Sequence, residues 1–352
     1  MDCQRRTAAQ YAPSMADAPK PVAAKLDVAQ THVASEWKIG SPLISCRYDP
    51  KGRFLFAGAQ DYQVWRCEAA TGKATQLKGA NAWVRGIAFS PDGASVYTGG
   101  YDGRLLWWPL EGGAPSRAIE AHQGWINAIA VSPDGSLIAT CGNDLLVRVW
   151  SASDGQPRQT LRGHETRVYN AAFHPDGKHL VSVDLKCNVL HWTLADGKVA
   201  RPLKVEALHI YDKGFMADIG GARSLQFDTK GAQLAVGGIT NVSNAFAGIG
   251  NPCVVMLDWA TGKSTTQHLA KETFNGVAWG LALHPEGLVL AGAGGGSGGQ
   301  VYFWKPGEKN EFHKLKLKDT CRDMHLAPDG LHLATAHFDG FLRICRMSAK
   351  PA

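Results

Sequence analysis

The sequence predicts an all-β protein, a seven-bladed β-propeller whose blades are four-stranded antiparallel sheets. Three observations predict it: a short turn recurs seven times, each interval holds four short β-rich runs, and no repeated segment has the 3.6-residue apolar period of a helix. Radial repetition of small sheets leaves only short, protected sheet edges, so an equal repeat of strands favours a propeller. A two-sheet sandwich is the alternative, but a sandwich does not need an equal repeat.

The recurring turn sets the period of the chain. Its most frequent form ends in Pro-Asp-Gly, and its seven copies are residues 49–52, 90–93, 132–135, 174–177, 228–231, 284–287 and 327–330. Successive copies begin 41, 42, 42, 54, 56 and 43 residues apart, so two units are enlarged. Proline presets φ at the second position, aspartate accepts a backbone hydrogen bond, and glycine adopts the left-handed exit. Each copy therefore predicts a hairpin.

The third unit divides most clearly into four strands, which turn residues separate. These are residues 126–132, 137–142, 147–151 and 157–162. Runs of this length with apolar alternation are typical of strands. The same division predicts repeats at about 40–80, 81–122, 123–164, 165–207, 221–273, 274–318 and 319–347, the last completed by residues 32–38.

Four residue types recur at corresponding places in these units: His, Ser or Thr, Asp, and Trp. The third repeat has all four, the second and fourth have three each, with Lys186 where the Asp of the fourth is expected, and the seventh has two. The residues are His122, Thr140, Asp144 and Trp150; His164, Ser182 and Trp192; Thr98, Asp102 and Trp108; and Thr335 and Asp339.

This pattern resembles the WD40-repeat family over about residues 31–347. The resemblance implies that each His, Ser or Thr, Asp and Trp form a buried hydrogen-bonded set inside a blade, so we interpret these residues as structural. It also implies how the ring closes. The last blade ends after a third strand, at 341–347, and residues 32–38 are expected to supply its outer strand.

Composition indicates one repeated domain at residues 31–348 with short flanking segments. Residues 1–30 are rich in Ala and Pro and are expected to form a flexible leader, and residues 349–352 a tail. Arg5-Arg6 is not followed by an apolar core, and no run is long enough to span a bilayer, so we expect a cytoplasmic protein. The formal net charge of +6 is modest for 352 residues.

Nothing in the sequence favours a cofactor, a metal or a catalytic site. Most of the eight cysteines lie on predicted strands, where they behave as small buried apolar residues, and no His, Asp and Glu set has metal spacing. Residues 295–299 match GxSxG, but a strand follows instead of the helix that a nucleophile elbow needs. The alternating lysines of 313–318 fit protection of an outer strand better than a nucleic-acid stripe, although both interpretations stay open.

Two regions of the predicted top face, the rim that carries the loops between fourth and first strands and between second and third strands, are candidate binding sites. The first contains the extra residues of the enlarged units, near 203–221 and 241–252, beside the glycine-rich loop at 294–299. Its candidate residues are His209, Tyr211, Asp212, Phe215, Asn244 and Phe246. Neutral variation of loop length is the alternative explanation.

The second region comprises aligned positions near the channel mouth, which the resemblance places on the top rim. Its residues are Trp83, Arg85, Tyr101, Trp125, Arg167, Tyr169, Arg223, Trp279, Arg322 and Phe338. Aromatic and arginine side chains are frequent interface hot spots, and several arginines around one opening favour an acidic peptide or another anion. Packing of these aromatics between blades is the alternative.

The sequence therefore favours a non-enzymatic scaffold that binds a protein or peptide on its top face. The partner is unidentified, an acidic one fits the arginines, and the chain is either monomeric or a subunit of a larger complex. We expect neither membrane nor nucleic-acid binding. The alternative is a small-molecule-binding or hydrolase/lactonase-type propeller enzyme that uses the enlarged loops of blades five and six, for which convergent titratable groups would be required.

Overall fold

The computed structural model describes residues 25–244 and 249–350, which form the predicted seven four-stranded antiparallel blades in a ring. The first three blades are β2 Leu43–Tyr48, β3 Phe54–Ala59, β4 Val64–Glu68 and β5 Ala74–Leu77; β6 Val84–Phe89, β7 Ser95–Gly100, β8 Arg104–Pro109 and β9 Arg117–Glu120; and β10 Ile126–Val131, β11 Leu137–Gly142, β12 Val147–Ser151 and β13 Pro157–Leu161.

The remaining blades follow the same order. They are β14 Val168–Phe173, β15 His179–Asp184, β16 Asn188–Thr193 and β17 Lys198–Lys204; β20 Ala222–Phe227, β21 Gln233–Asn244, β22 Ile249–Asp258 and β23 Ser264–Leu269; β24 Val277–Leu283, β25 Val289–Gly295, β26 Gly298–Trp304 and β27 His313–Leu317; and β28 Cys321–Leu326, β29 His332–His337 and β30 Phe341–Arg346. Two 3-10 turns, Val28–Gln30 and Glu206–Leu208, precede β1 (His32–Lys38) and a small hairpin, β18 (His209–Asp212) with β19 (Ala217–Gly220).

The first strands of the blades line the centre of the ring. Each contacts the first strand of the next blade, and β2 contacts β28, so the circle is complete. The apolar core lies between the blades, in clusters that each combine residues of neighbouring sheets. At the seam, β1 pairs antiparallel with β30, from His32 opposite Arg346 to Lys38 opposite Phe341.

The recurring turns form a second ring at the opposite end of the channel from the top face. Each turn glycine has a positive φ, and Gly52, Gly93 and Gly135 lie against the turn proline of a neighbouring blade. In two turns a histidine adds a bond to the next turn, since His174 Nε2 donates to the carbonyl of Gly231 over 2.9 Å and His284 Nε2 to that of Gly330 over 2.8 Å. A histidine at the first turn position therefore links its blade to the next one.

The polar set of blade three is a chain of hydrogen bonds. His122 Nδ1 lies 2.8 Å from Asp144 Oδ1, and its Nε2 lies 2.7 Å from Thr140 Oγ1, to which Trp150 Nε1 donates over 2.9 Å. Arg148 also binds Asp144, over 2.5 Å. Burial alone would raise the pKa of Asp144, but hydrogen bonds from His122 and Arg148 outweigh it and hold that pKa well below its usual value.

Blade four corrects one expectation about this set. The acidic partner of His164 is Asp184, the last residue of β15, whose Oδ2 lies 3.0 Å from His164 Nδ1; Ser182 and Trp192 complete the chain. Lys186, the residue at the expected position, instead forms a salt bridge of 3.4 Å with Asp218 on the β18–β19 hairpin. The carboxylate that contacts His164 therefore stands two residues earlier in the chain than the repeat pattern predicts.

Blades two and seven keep reduced versions of the set. Trp108 Nε1 donates to Thr98 Oγ1 over 2.8 Å, as the Trp and Thr of blade three do. In blade seven, Thr335 bonds instead with His337, and Asp339 forms a bidentate salt bridge with the buried Arg343. Asp102 accepts the amide of Arg104 over 3.2 Å.

The enlarged units are not irregular loops. The first extra segment forms the β18–β19 hairpin, and the second extends β21 and β22 beyond the strands of the other blades. Phe246 lies outside the described residues, as do most of the predicted leader and Cys3; Asn244 ends β21. The seven described cysteines are all buried and free. Within the described residues, no helix has the length and apolarity needed to cross a membrane.

Two buried histidines predict how stability changes with pH. Burial is the main reason that the pKa of His191 falls to about 4 and that of His337 to about 4. The unfolded chain binds protons at these side chains near pH 6.5, whereas the folded protein does not until about pH 4, so stability is lost as the pH falls through that window. We expect the urea midpoint to decrease between about pH 7 and about pH 4.5, with a smaller decrease in His191→Gln. Equal midpoints at both pH values would contradict this.

Candidate functional site

A β-bulge places one residue of every blade at the mouth of the central channel. In each first strand the pairing register shifts by one residue near the strand start, leaving a single residue outside the ladder. A bulge bends its strand and re-aims the side chain of the extra residue. The seven residues, here called the bulge ring, are Ile44, Arg85, Asn127, Tyr169, Arg223, Trp279 and Arg322.

The three arginines of the bulge ring gather around Trp279. The guanidinium carbons of Arg85, Arg223 and Arg322 lie 5.5, 5.5 and 5.3 Å from the centre of its indole ring. Arg223 also lies 4.5 Å from the Tyr169 ring. Trp279 is itself fixed, because its Nε1 donates to the carbonyl of Gly294 over 3.1 Å. These arginines and Trp279 belong to four different blades, so side chains from four blades meet at one indole ring.

These guanidiniums carry positive charge without carboxylate partners. Within the described part of the chain, none of the three is within 4.0 Å of a carboxylate oxygen, and the buried Nε of Arg322 has no hydrogen-bond partner. Burial lowers the pKa of Arg223 and of Arg322, and the charge of Arg85 lowers both further, although Tyr169 opposes the change at Arg223. Aromatic faces attract cations but do not neutralise them, so the cluster keeps a net positive charge.

Asp323, one of the two carboxylates among the described residues that line the channel cavity, is already paired. Asp323 binds the guanidinium of Arg47 and accepts the amides of Cys46, over 3.0 Å, and Met324, over 2.9 Å. A cavity of about 610 Å³ extends along the channel between the bulge ring and the turns. Arg47, whose charge Asp323 compensates, therefore lies in the cavity wall below the bulge-ring arginines, which have no carboxylate partner among the described residues.

An aromatic stack adjoins the arginine cluster on the top face. The rings of Tyr101 and Trp125 are parallel, with centroids 4.4 Å apart and an angle of 4°, and the Trp83 ring lies 5.7 Å from that of Tyr101, tilted by 44°. Trp125 is 44% exposed, whereas Trp83 is half-buried and donates to the carbonyl of Gln60 over 2.7 Å. Trp125 is therefore an available contact surface, and Trp83 serves to hold the stack.

The stack and the cluster form one continuous surface. Tyr101 lies near enough to Arg223 and Arg322 to oppose the fall in the pKa of both, and the Arg322 guanidinium lies 5.7 Å from the ring of the exposed Phe338.

A family model for the WD domain, G-beta repeat matches residues 72–109, 113–151 and 155–193. Each match begins with the outer strand of one blade and ends with the third strand of the next, as β5 to β8 illustrate. The chain contains WD40 repeats. No curated protein matches the chain. WD40 propellers are generally scaffolds that bind proteins or peptides, and members of the family are typically non-enzymatic.

The insertion residues of this propeller form a separate feature. His209 Nε2 lies 2.9 Å from Asp218 Oδ1 across the β18–β19 hairpin, and Asp212 accepts the amides of Gly214 and Phe215 in its turn. The hairpin exposes Ile210, Tyr211, Phe215 and Met216, the last to 80%. Neither His209 nor Asp212 is among the described residues that line the channel cavity.

Two further motifs have structural explanations. Ser297 lies in the tight turn between β25 and β26, where its Oγ accepts the amide of Asn275 over 3.0 Å. Contrary to the expectation from sequence, one set does have metal spacing, because ligand atoms of His174, Asp176 and His179 lie within 4.8 Å of one another. However, both nitrogens of His174 are engaged, Nε2 with the next turn and Nδ1 with the amide of Asp176 over 3.2 Å.

The remaining predicted residue, Arg167, is exposed on the loop before β14. Sequence reasoning did not identify the bulges themselves, the salt bridge of Arg47 with Asp323, or Asp184 and His337 in the polar sets. A register shift of one residue leaves no distinct residue type in a strand, so only the recurrence of the same position in seven repeats could have revealed it.

Proposed function

We propose that the protein is a non-enzymatic interaction scaffold whose top face binds an acidic segment of a partner protein. The observation that carries the proposal is the cluster of Arg85, Arg223 and Arg322 around Trp279 without carboxylate partners. Guanidiniums form strong, directional hydrogen bonds with carboxylate and phosphate groups, so an anionic partner would supply the missing charge.

The aromatic stack supports the same proposal from apolar chemistry. Trp125 offers an exposed indole supported from behind by Tyr101, a rigid arrangement that loses little side-chain entropy on binding. Interface hot spots are enriched in Trp, Tyr and Arg, and they cluster. A segment that places an apolar side chain on Trp125 and an acidic one near Arg322 would satisfy both parts of the surface.

We expect Trp125→Ala combined with Arg167→Ala to abolish retention of the partners that the wild-type chain retains on an affinity support. Retention by the wild type should also decrease when salt is raised from about 0.1 M to about 1 M, because screening weakens charge attraction. Mass spectrometry of the retained proteins provides the measurement. Phe312→Ala is the matched control, since this exposed aromatic lies in the β26–β27 connection, away from the top face.

If every partner survives the double substitution while thermal unfolding confirms a folded variant, the top-face proposal is wrong. Loss of the same partners from Phe312→Ala would equally contradict it, because the effect would then not depend on the top face.

A further inference from the structure

We propose that the arginines of the bulge ring bind a phosphate monoester dianion, carried on a phosphorylated side chain of the partner. This inference rests on the proposed function, because it assigns the chemical group that the top face recognises. The charge, the hydrogen-bonding capacity and the rigidity of the cluster all favour this group.

The charge of the arginine cluster favours a dianion over a carboxylate. Three guanidiniums share one aromatic centre and have no salt bridge among the described residues. A carboxylate would supply a single negative charge, leaving about two positive charges uncompensated, whereas a phosphate monoester carries about −1.5 to −2 at neutral pH. The dianion therefore matches the cluster better than an aspartate or glutamate side chain does.

The hydrogen-bond donors of the three guanidiniums also favour a phosphate group. A phosphate monoester presents three strong acceptor oxygens, and each guanidinium presents a planar fork of donors. Few of these donors are used within the described residues: Arg223 Nη1 donates to the carbonyl of Ala222 over 3.3 Å, and the buried Nε of Arg322 has no partner. A buried donor without a partner is costly, so a ligand that accepts from it gains affinity.

The arginine cluster is also preorganised for binding. Each arginine rises from a bulge in a first strand rather than from a loop, and each packs on Trp279. A second ring also packs on two of them, Tyr169 at 4.5 Å from Arg223 and Phe338 at 5.7 Å from Arg322. A cluster whose geometry is set before binding loses less conformational entropy when the anion arrives.

A neighbouring pair explains why the anion would stop at the channel mouth. Arg47 lies in the channel wall, but Asp323 already compensates its charge. The favourable potential is therefore confined to the top of the channel.

The test compares four probes by isothermal titration: a short peptide with one phosphoserine between glycines, its serine and glutamate counterparts, and inorganic phosphate. We expect the phosphopeptide to bind best, and Arg322→Gln or Arg85→Gln to weaken it at least about tenfold. Arg322→Lys should lose less, because it keeps the charge without the fork. The matched control is Arg117→Gln, which removes a guanidinium lying 5.6 Å from the Trp107 ring outside the bulge ring.

Each outcome decides a separate point. Equal binding of the glutamate peptide and the phosphopeptide would overturn the choice of a dianion, and equal binding of inorganic phosphate and the phosphopeptide would overturn the partner-borne source. Absence of saturable binding by any phosphate probe would overturn the site. Partner retention that is lost in Trp125→Ala with Arg167→Ala would still support the proposed function in that case, so the two failures can be told apart.

Discussion

A chain that begins at Gly40 will unfold at a far lower temperature than a chain that begins at Lys25. The difference removes β1, whose residues 32–38 pair with β30 and complete the last blade. It also removes the bond from the amide of Asp27 to the carbonyl of Met347, and the burial of Val28 in the core between blades six and seven. Summed over the lost backbone bonds at about 1 kcal/mol each, the effect approaches the total stability of a typical domain.

Electrostatics at the seam enlarges this effect. Arg343 is only 2% exposed and is held between Asp339 and Glu36, which lies 3.2 Å away on β1. Without β1, the guanidinium loses one of its two carboxylates, and the edge of β30 is left with unpaired backbone groups.

Differential scanning calorimetry of the two chains provides the measurement. Glu36→Gln in the longer chain isolates the charge contribution, and we expect its midpoint to lie between the two. If both chain lengths melt at the same temperature, the paired strand does not close the ring in a way that matters for stability.

The architecture could be predicted because it depends on features that repeat. Seven copies of one turn gave seven hairpins, and strand runs such as 137–142 and 147–151 recur as β11 and β12 with the same bounds. Each blade buries its faces against its neighbours, so local pattern and global fold agree at every repeat.

The candidate site could be predicted only as a set of positions. Alignment of the repeats located Arg85, Arg223 and Arg322, but it did not indicate that all three contact Trp279. That contact depends on how four blades are arranged around the channel, which is a property of the closed ring and not of any one repeat. Nor could it indicate that Asp323 is taken by Arg47, since the two come from opposite ends of the chain.

The error at blade four has a physical cause. The alignment assumed that a hydrogen-bonded set requires each residue at a fixed sequence position, and it found Lys186 where the aspartate was expected. A carboxylate at the end of β15 reaches the same imidazole from a different backbone position, because only the geometry of the bond is constrained. The repeat pattern places the carboxylate at one backbone position that satisfies this geometry, and Asp184 satisfies it from another.

This difference leads to a paired prediction. Asp184→Ala will destabilise the protein by about 3 kcal/mol, because it removes a carboxylate inside blade four and leaves several donors without an acceptor. Asp184 has no exposed surface and accepts from the amide of Asn188 over 3.0 Å and from its Nδ2 over 3.1 Å, besides its bond with His164. Lys186→Ala will cost less than about 1 kcal/mol, because Lys186 is part-exposed and its salt bridge with Asp218 is screened by solvent.

Urea unfolding of the two variants beside the wild type measures both values, and equal slopes of unfolding free energy against urea would show that the comparison concerns the same transition. Asp144→Ala in blade three is the internal reference, since it removes the corresponding carboxylate from a set with the expected sequence spacing. A loss at Asp184 similar to that at Asp144 means that the two carboxylates do the same work from different positions. A larger loss at Lys186 than at Asp184 would contradict that equivalence and return the structural role to the position that the repeat alignment chose.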